Sequence, residues 1–316
     1  MDRPACSGPA GLPAPRAAER RSPLRTAAAA ATPWPEVREF HLSDRDFQQI
    51  RSLIHAHAGI SLSEHKRGMV YARLVRRLRA LRLDSFAAYL GRLERDPAEW
   101  EHFTNALTTN LTRFFREPHH FDQLRQALER RGGEPARIWS AACASGEEAY
   151  SLAITAYEAG CPARILASDV DTRALDQARA GIYERARLDG VPVHLQQRYF
   201  LRGRNASEGL VRARPELAAA IAFRQLNLRE TQWPMRRRFD AIFCRNALIY
   251  FDRPTQAEVL QRMLGLLAPG GLLFLGHSET LHGFDLPLRP VGTTVYQHEP
   301  AGPAGSGHDG APAERG

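Results

Sequence analysis

Cysteine is scarce in this sequence of 316 residues, where only Cys6, Cys143, Cys161 and Cys244 occur. No pair of them has metal-ligand spacing, and a chain this long needs no disulfide framework. A reducing, cytoplasmic setting fits best. Long apolar runs are missing too, and none approaches the roughly 20 residues that a membrane helix needs. Ala27 to Ala31 is the nearest thing to a leader, but the run is short and set among prolines and arginines, which argues against a signal peptide. There is no internal repeat. The G-x-G-x-x-G turn of a dinucleotide site is absent. His119-His120 lacks the i, i+4 spacing of two helical metal ligands, so no metal is expected.

What is present is a globular middle between two tails. Hydrophobic residues make up 43% of the chain, enough for a sizeable core. The formal net charge of +8 suits an anionic partner (nucleic acid, a membrane surface or an acidic protein) or simply solubility. Residues 1–36 are rich in Ala, Pro, Arg and Gly, and residues 299–316 in Gly, Pro, Ala and charge, so both read as disordered tails.

Residues 40–104 read as a small helical domain. Ser43 is a plausible N-cap with Asp46 three residues on, Phe47, Ile50, Leu53 and Ile54 follow at helical spacing, and Gly59 stops the helix. A second helix, Glu64 to Leu81, sets Val70, Leu74, Leu78 and Leu81 against a basic side with Lys66, Arg73, Arg76, Arg77 and Arg79, and a third covers Ser85 to Leu93. Residues 105–136 form a linker with some helix. Its stretch Leu107 to Phe121 interleaves Thr, Asn and Arg with Phe, which fits either a core helix or a segment closing over a ligand.

From Arg137 strands and helices alternate, which predicts a parallel α/β sheet covered on both faces over 137–298. The strands expected are Ile138 to Ala141, Ile165 to Ser168, Ile221 to Leu226, Phe239 to Cys244, Leu272 to Leu275 and Thr293 to Gln297. The helices are Glu147 to Ala159, Thr172 to Ala180 and Pro254 to Leu267, the last ended by Pro269-Gly270-Gly271. The rhythm breaks at about 186–220, where two short strands flank Asn205 to Gly209, as in a small antiparallel insertion.

Polar groups gather where strands end. The first strand runs into Ser140-Ala141-Ala142-Cys143-Ala144-Ser145-Gly146-Glu147-Glu148. Small residues there let a ligand approach the backbone, and two acids suit a cationic ligand better than a pyrophosphate. The acids also serve as good first-turn residues. Asp169 ends the second strand, where nucleotide folds hold a ribose, although it competes with Asp171 for capping the next helix. Arg245, Asn246 and Tyr250 follow the fourth strand. Cys143 is better placed to fill a tight turn than to act as a nucleophile, since no partner histidine is identifiable.

These segments, with Ala106 to Phe121, Phe239 to Asp252 and Gly276-His277-Ser278-Glu279, together resemble the CheR family of chemotaxis-receptor glutamate O-methyltransferases. The likeness covers about Leu42 to Tyr296. It implies a Rossmann-like class I methyltransferase domain with a small antiparallel β insertion, preceded by a small all-α domain. It implies S-adenosyl-L-methionine as methyl donor and no metal. Positions matching Asn110, Thr112 and Arg116 face the donor from the bridge, and Glu148 and Asp169 match those holding its amino group and ribose. Asn227 and Leu228 match positions beside the adenine, and Cys244, Arg245 and Asn246 match the lining beyond the fourth strand. Tyr250 matches a tyrosine near the transferred methyl. Arg116 is expected to orient the acceptor carboxylate. Arg73, Arg76, Arg77 and Arg79 are expected to dock on an acidic helical bundle of the receptor, and the insertion to grip a tether peptide at the receptor's C-terminus. No nucleic acid is expected, and membrane contact only through the receptor.

Overall fold

The computed structural model describes residues 39–299. Apart from Glu299, both expected tails lie outside the described residues.

Four helices open the described chain: α1 (Asp44–Ala58), α2 (Arg67–Leu81), α3 (Phe86–Arg95) and α4 (Glu99–Leu107). The Ser43 capping box forms, with the Ser43 hydroxyl accepting from the Asp46 N–H at 3.1 Å and the Asp46 carboxylate accepting from the Ser43 N–H at 3.3 Å. Gly59 ends α1 in the left-handed region at φ 72°. The apolar stripes meet in one core around Phe47, Ile50, Ile54, Leu74, Leu78 and Phe103.

Part of the basic side of α2 is engaged within the domain. Arg77 grips the buried Glu99 with two hydrogen bonds of 2.9 and 2.6 Å, and the Tyr89 hydroxyl donates to the same carboxylate at 3.0 Å. Arg73 donates to the carbonyls of Ala106 and Thr108. Two of the four arginines assigned to receptor docking therefore hold this domain and its exit together, while Arg76 and Arg79 are exposed.

The bridge is neither one core helix nor a bare linker. After α4 the chain runs without regular structure to Glu117, and Pro118 then starts α5 (Pro118–Glu129), where its missing N–H is harmless. The α/β part follows as β1 (Ala136–Ala141), α6 (Glu147–Glu158), β2 (Ala163–Asp169), α7 (Thr172–Ala180), β3 (Ile182–Glu184), α8 (Val193–Tyr199), β4 (Phe200–Arg202), β5 (Leu210–Ala213), α9 (Pro215–Ala219), β6 (Ile221–Gln225), β7 (Phe239–Cys244), α10 (Arg253–Leu266), β8 (Leu267–Leu275), β9 (Leu288–Gly292) and β10 (Val295–His298).

The main sheet has the order β6-β2-β1-β7-β8-β10-β9. Its first five strands are parallel, and β10 and β9 add antiparallel pairs at one edge. The chain leaves β1 for β2 on one side and later returns to β7 on the other, so the carboxyl ends of β1, β2 and β7 flank a topological switch point. The three-stranded antiparallel insertion β3-β5-β4 starts at Ile182, earlier than the sequence suggested. Pro269-Gly270-Gly271 does not precede a strand but lies inside β8. Phe239 pairs with Leu267 and Ala241 with Leu272, so the residues between bulge outward.

Candidate active site

A cavity of about 970 Å³, counting its open mouth, lies over the switch point. Its floor is the turn after β1 (Ala142, Ala144 and Glu148) with Asp169, and its far wall is Arg245, Asn246 and Tyr250. The bridge roofs it with Thr108 to Thr112 and Arg116, and Ala58 and Ile60 close one side from the helical domain. Asn227 and Leu228 supply a further wall from the loop after β6.

Thus Asn110, Thr112, Arg116, Glu148, Asp169, Asn227, Leu228, Arg245, Asn246 and Tyr250 come together as the sequence reading grouped them. Cys244 does not join them. Its side chain is fully buried at the end of β7 among Ile242, Val259 and Leu275, in the same core cluster as the lining residues Leu228 and Ala247, and does not itself line the cavity. Cys143 is also inert. Burial, with Asp169 and Glu148 nearby, holds its thiol well above the usual range.

The backbone around the cavity is unusual. Phe115, Glu117, Ala142, Ala144 and Asn246 all have positive φ, at 49°, 59°, 63°, 48° and 58°. Such conformations persist in non-glycine residues only when the surroundings impose them, and they concentrate at functional sites. Glu279 imposes one of them. Its buried carboxylate accepts from the N–H groups of Asn246 at 2.8 Å, Gly276 at 2.6 Å and Ile249 at 3.3 Å, fixing the loop that carries Tyr250.

The two acids of the floor differ in their partners. Asp169 accepts from the Ala144 N–H at 2.8 Å and the Asp171 N–H at 2.9 Å. Burial nevertheless pushes its carboxyl up to about 6. Asp169 is not the cap of α7. Asp171 takes that work, accepting from the N–H groups of Arg173 at 3.0 Å and Ala174 at 3.1 Å. The other oxygen of Asp171 holds the roof, accepting from the Thr108 hydroxyl at 2.6 Å and the Asn110 amide at 2.7 Å.

Glu148 accepts from the Ser140 hydroxyl at 2.7 Å and from Arg245 at 3.1 Å. Burial raises its carboxyl against both partners. Arg245 reaches Glu117 at 3.1 Å with its other arm and donates to the carbonyl of Arg116. Burial works against ionisation of Glu117 as well, but Arg245 and the His277 N–H together outweigh it and the carboxyl sits below its usual value. Arg116 stands 30% exposed beside this network and donates to the Leu111 carbonyl at 2.8 Å.

The helical domain is tied to the same rim. The Tyr250 carbonyl accepts from the Ser61 N–H at 2.7 Å, Asn227 donates to the His57 carbonyl at 2.6 Å, and His55 meets Asp252 at 2.9 Å. Glu117, Asp171, Ser140 and Glu279 escaped the sequence reading as site residues. All four lay within segments it singled out, but nothing local marks a side chain whose partners are distant in sequence.

Two family models account for nearly all of this: a "CheR methyltransferase, all-alpha domain" over residues 45–108 and a "CheR methyltransferase, SAM binding domain" over residues 110–297. The chain belongs to the CheR methyltransferase family. Curated CheR-type relatives include chemotaxis protein methyltransferase 2 of Pseudomonas aeruginosa, 51% identical over 277 residues, which span 84% of this chain and 98% of the relative. The chemotaxis protein methyltransferase of Salmonella typhimurium is 52% identical over 261 residues, covering 81% of this chain and 90% of the relative. That of Escherichia coli is 50% identical over 261 residues, covering 81% and 91%. The boundary between the two CheR models falls at the start of the roof, so the bridge is the first segment of the donor-binding part. The helices and mixed sheet are accordingly the all-α and S-adenosyl-L-methionine-binding domains of a class I methyltransferase, and the antiparallel insertion belongs to the latter.

Proposed function

We infer that this chain transfers the methyl group of S-adenosyl-L-methionine to glutamate side chains of chemotaxis receptors, giving methyl esters. The observation that carries the reading is the pairing of charges in one cavity: Asp169 and Glu148 on the floor, Arg116 at the roof. A zwitterionic sulfonium nucleoside fits that floor. Asp169 would hold its ribose and Glu148 its amino group, with Asn227 and Leu228 beside the adenine. The donor, when bound, supplies a methyl already activated on positive sulfur.

An ionised carboxylate needs no general base to attack such a methyl, and among the described residues none is arranged as one. The work left to the protein is positioning and the exclusion of water. Arg116, part exposed at the roof, draws the acceptor carboxylate in and orients it. Tyr250, on the loop fixed by Glu279, confines the methyl. Arg245 stays with Glu117 and Glu148, keeping their negative charge from repelling the acceptor.

The finer partner assignments rest on surface features. Arg76 and Arg79 suit an acidic helical bundle. The insertion has β3 and β4 as edge strands, and Leu201 on β4 is 41% exposed, which suits addition of a tether peptide as a further strand. Among the described residues no helix is long and apolar enough to cross a membrane. Work from the cytoplasm beside the receptor follows from the receptor-methylation reading itself.

The test is incubation with methyl-labelled donor and receptor-containing membranes. Base-labile label on the receptor is expected, and it should vanish in Asp169→Ala. Label that survives base, or none on any receptor, would overturn the reading.

A further inference from the structure

The insertion touches the donor cavity from behind. Tyr183 of β3 is buried and donates its hydroxyl to the Ser145 carbonyl at 2.8 Å. Its oxygen lies 3.1 Å from where a Cβ on Gly146 would stand, so the left-handed Gly146, φ 95°, is fitted closely against it. Arg187, in the helical turn after β3, reaches the carboxylate of Glu147. That carboxylate is fully buried, and its other oxygen accepts from the Ser145 hydroxyl at 2.6 Å. The roof is held from the same side. Phe114 packs edge-on against Tyr183 at 5.1 Å and against Phe200 of β4 at 5.3 Å.

Ser145 to Glu147 close the floor turn and start α6, one residue before Glu148. The turn's own residues do not favour its shape, because Ala142 and Ala144 both sit at positive φ. Asp169 steadies Ala144 from the cavity side. Tyr183 and Arg187 are what steady the other end.

We propose that Tyr183 and Arg187 are positioning residues of the methyl transfer, holding the donor-side turn in its strained form through Ser145 and Glu147. The insertion is then part of the donor site's support as well as a surface for partners. This rests on the donor reading given above. If the turn relaxes, Glu148 and the Ala144 N–H shift together, so donor affinity falls while the acceptor side keeps its geometry.

The test uses the full chain, with calorimetric Kd for the demethylated donor, S-adenosylhomocysteine, and separate kcat and donor KM on receptor membranes. Arg187→Met is expected to raise both Kd and donor KM about tenfold with kcat within about twofold. Arg187→Lys should recover most of the loss by restoring the charge. Tyr183→Phe, which keeps the ring, should raise Kd about threefold and serves as the deciding variant if Arg187→Met does not fold. Variants with unchanged Kd and donor KM, even with lowered melting temperature, would make both residues merely structural and overturn the proposal. A wild-type chain that fails to bind S-adenosylhomocysteine would overturn the donor reading itself, and this inference with it.

Discussion

Arg245 donates to Glu148 at 3.1 Å from beneath the roof of the cavity, with only 1% of its own side chain exposed. The same guanidinium serves Glu117. A cation so placed is no loose substrate anchor, since both its carboxylates depend on it. Arg245→Met should destabilise the protein by about 3–5 kcal/mol, the range for stranding a buried charge. The loss should shrink toward about pH 4, because both carboxyls, freed of Arg245, would protonate at higher pH than now. Denaturant midpoints measured across pH would show this, and a pH-independent loss would refute it.

Asp169, if it holds the donor as proposed, should make donor binding depend on pH. Its carboxyl titrates at about 6, raised from 3.8 by burial. If the ionised form accepts from the ribose hydroxyls, donor affinity should strengthen between about pH 5 and about pH 7. Asp169→Asn should weaken donor binding about 10- to 100-fold near neutrality and flatten that dependence. The stability sign is the reverse. A raised folded pKa means that ionisation penalises the fold, so this residue's contribution is best below its unfolded pKa and declines as pH rises through about 6.

Arg76 and Arg77 should behave oppositely on charge reversal. Arg77→Glu leaves the buried Glu99 facing another negative charge, so it should lower stability by several kcal/mol, on the order of the cost of breaking a buried pair. Arg76→Glu should leave the melting temperature within about a degree and raise KM for the receptor alone. Equal stability loss in both would show that the basic side of α2 is uniformly structural.

Gly59 is a backbone requirement. An added Cβ would come within 2.9 Å of the Phe251 ring, and φ is already 72°. Gly59→Ala should cost about 1–2 kcal/mol through the left-handed backbone alone. Because Phe251 follows Tyr250, turnover should also drop. A fully active, equally stable variant would sever the link between the end of α1 and the loop that carries Tyr250.

Local signals carried much of this protein. The Ser43 cap, the limits of α7 and the span of β7 were legible because capping, glycine stops and strand runs act within a few residues. The grouping of Glu148, Asp169, Arg245, Asn246 and Tyr250 was legible through a fold in which strand ends converge, whereas Asn110, Thr112, Arg116, Asn227 and Leu228 entered only through the family resemblance. What stayed hidden is non-local. The grip of Arg77 on Glu99 spans 22 residues, and that of Arg245 on Glu148 spans 97. Cys244 ends β7 with its side chain packed in the core, a burial that only the tertiary packing reveals. β9 went unseen because Pro290 and Arg289 break any apolar alternation, and only pairing with β10 defines it.

Asp171 divides its carboxylate between two tasks, one oxygen starting α7 and the other pinning Thr108 and Asn110. Turning that side chain to free the roof must also disturb the first turn of the helix. Amide hydrogen exchange at Arg173 and Ala174 thereby reports how firmly Asp171 keeps its place, readable with neither substrate turnover nor a label.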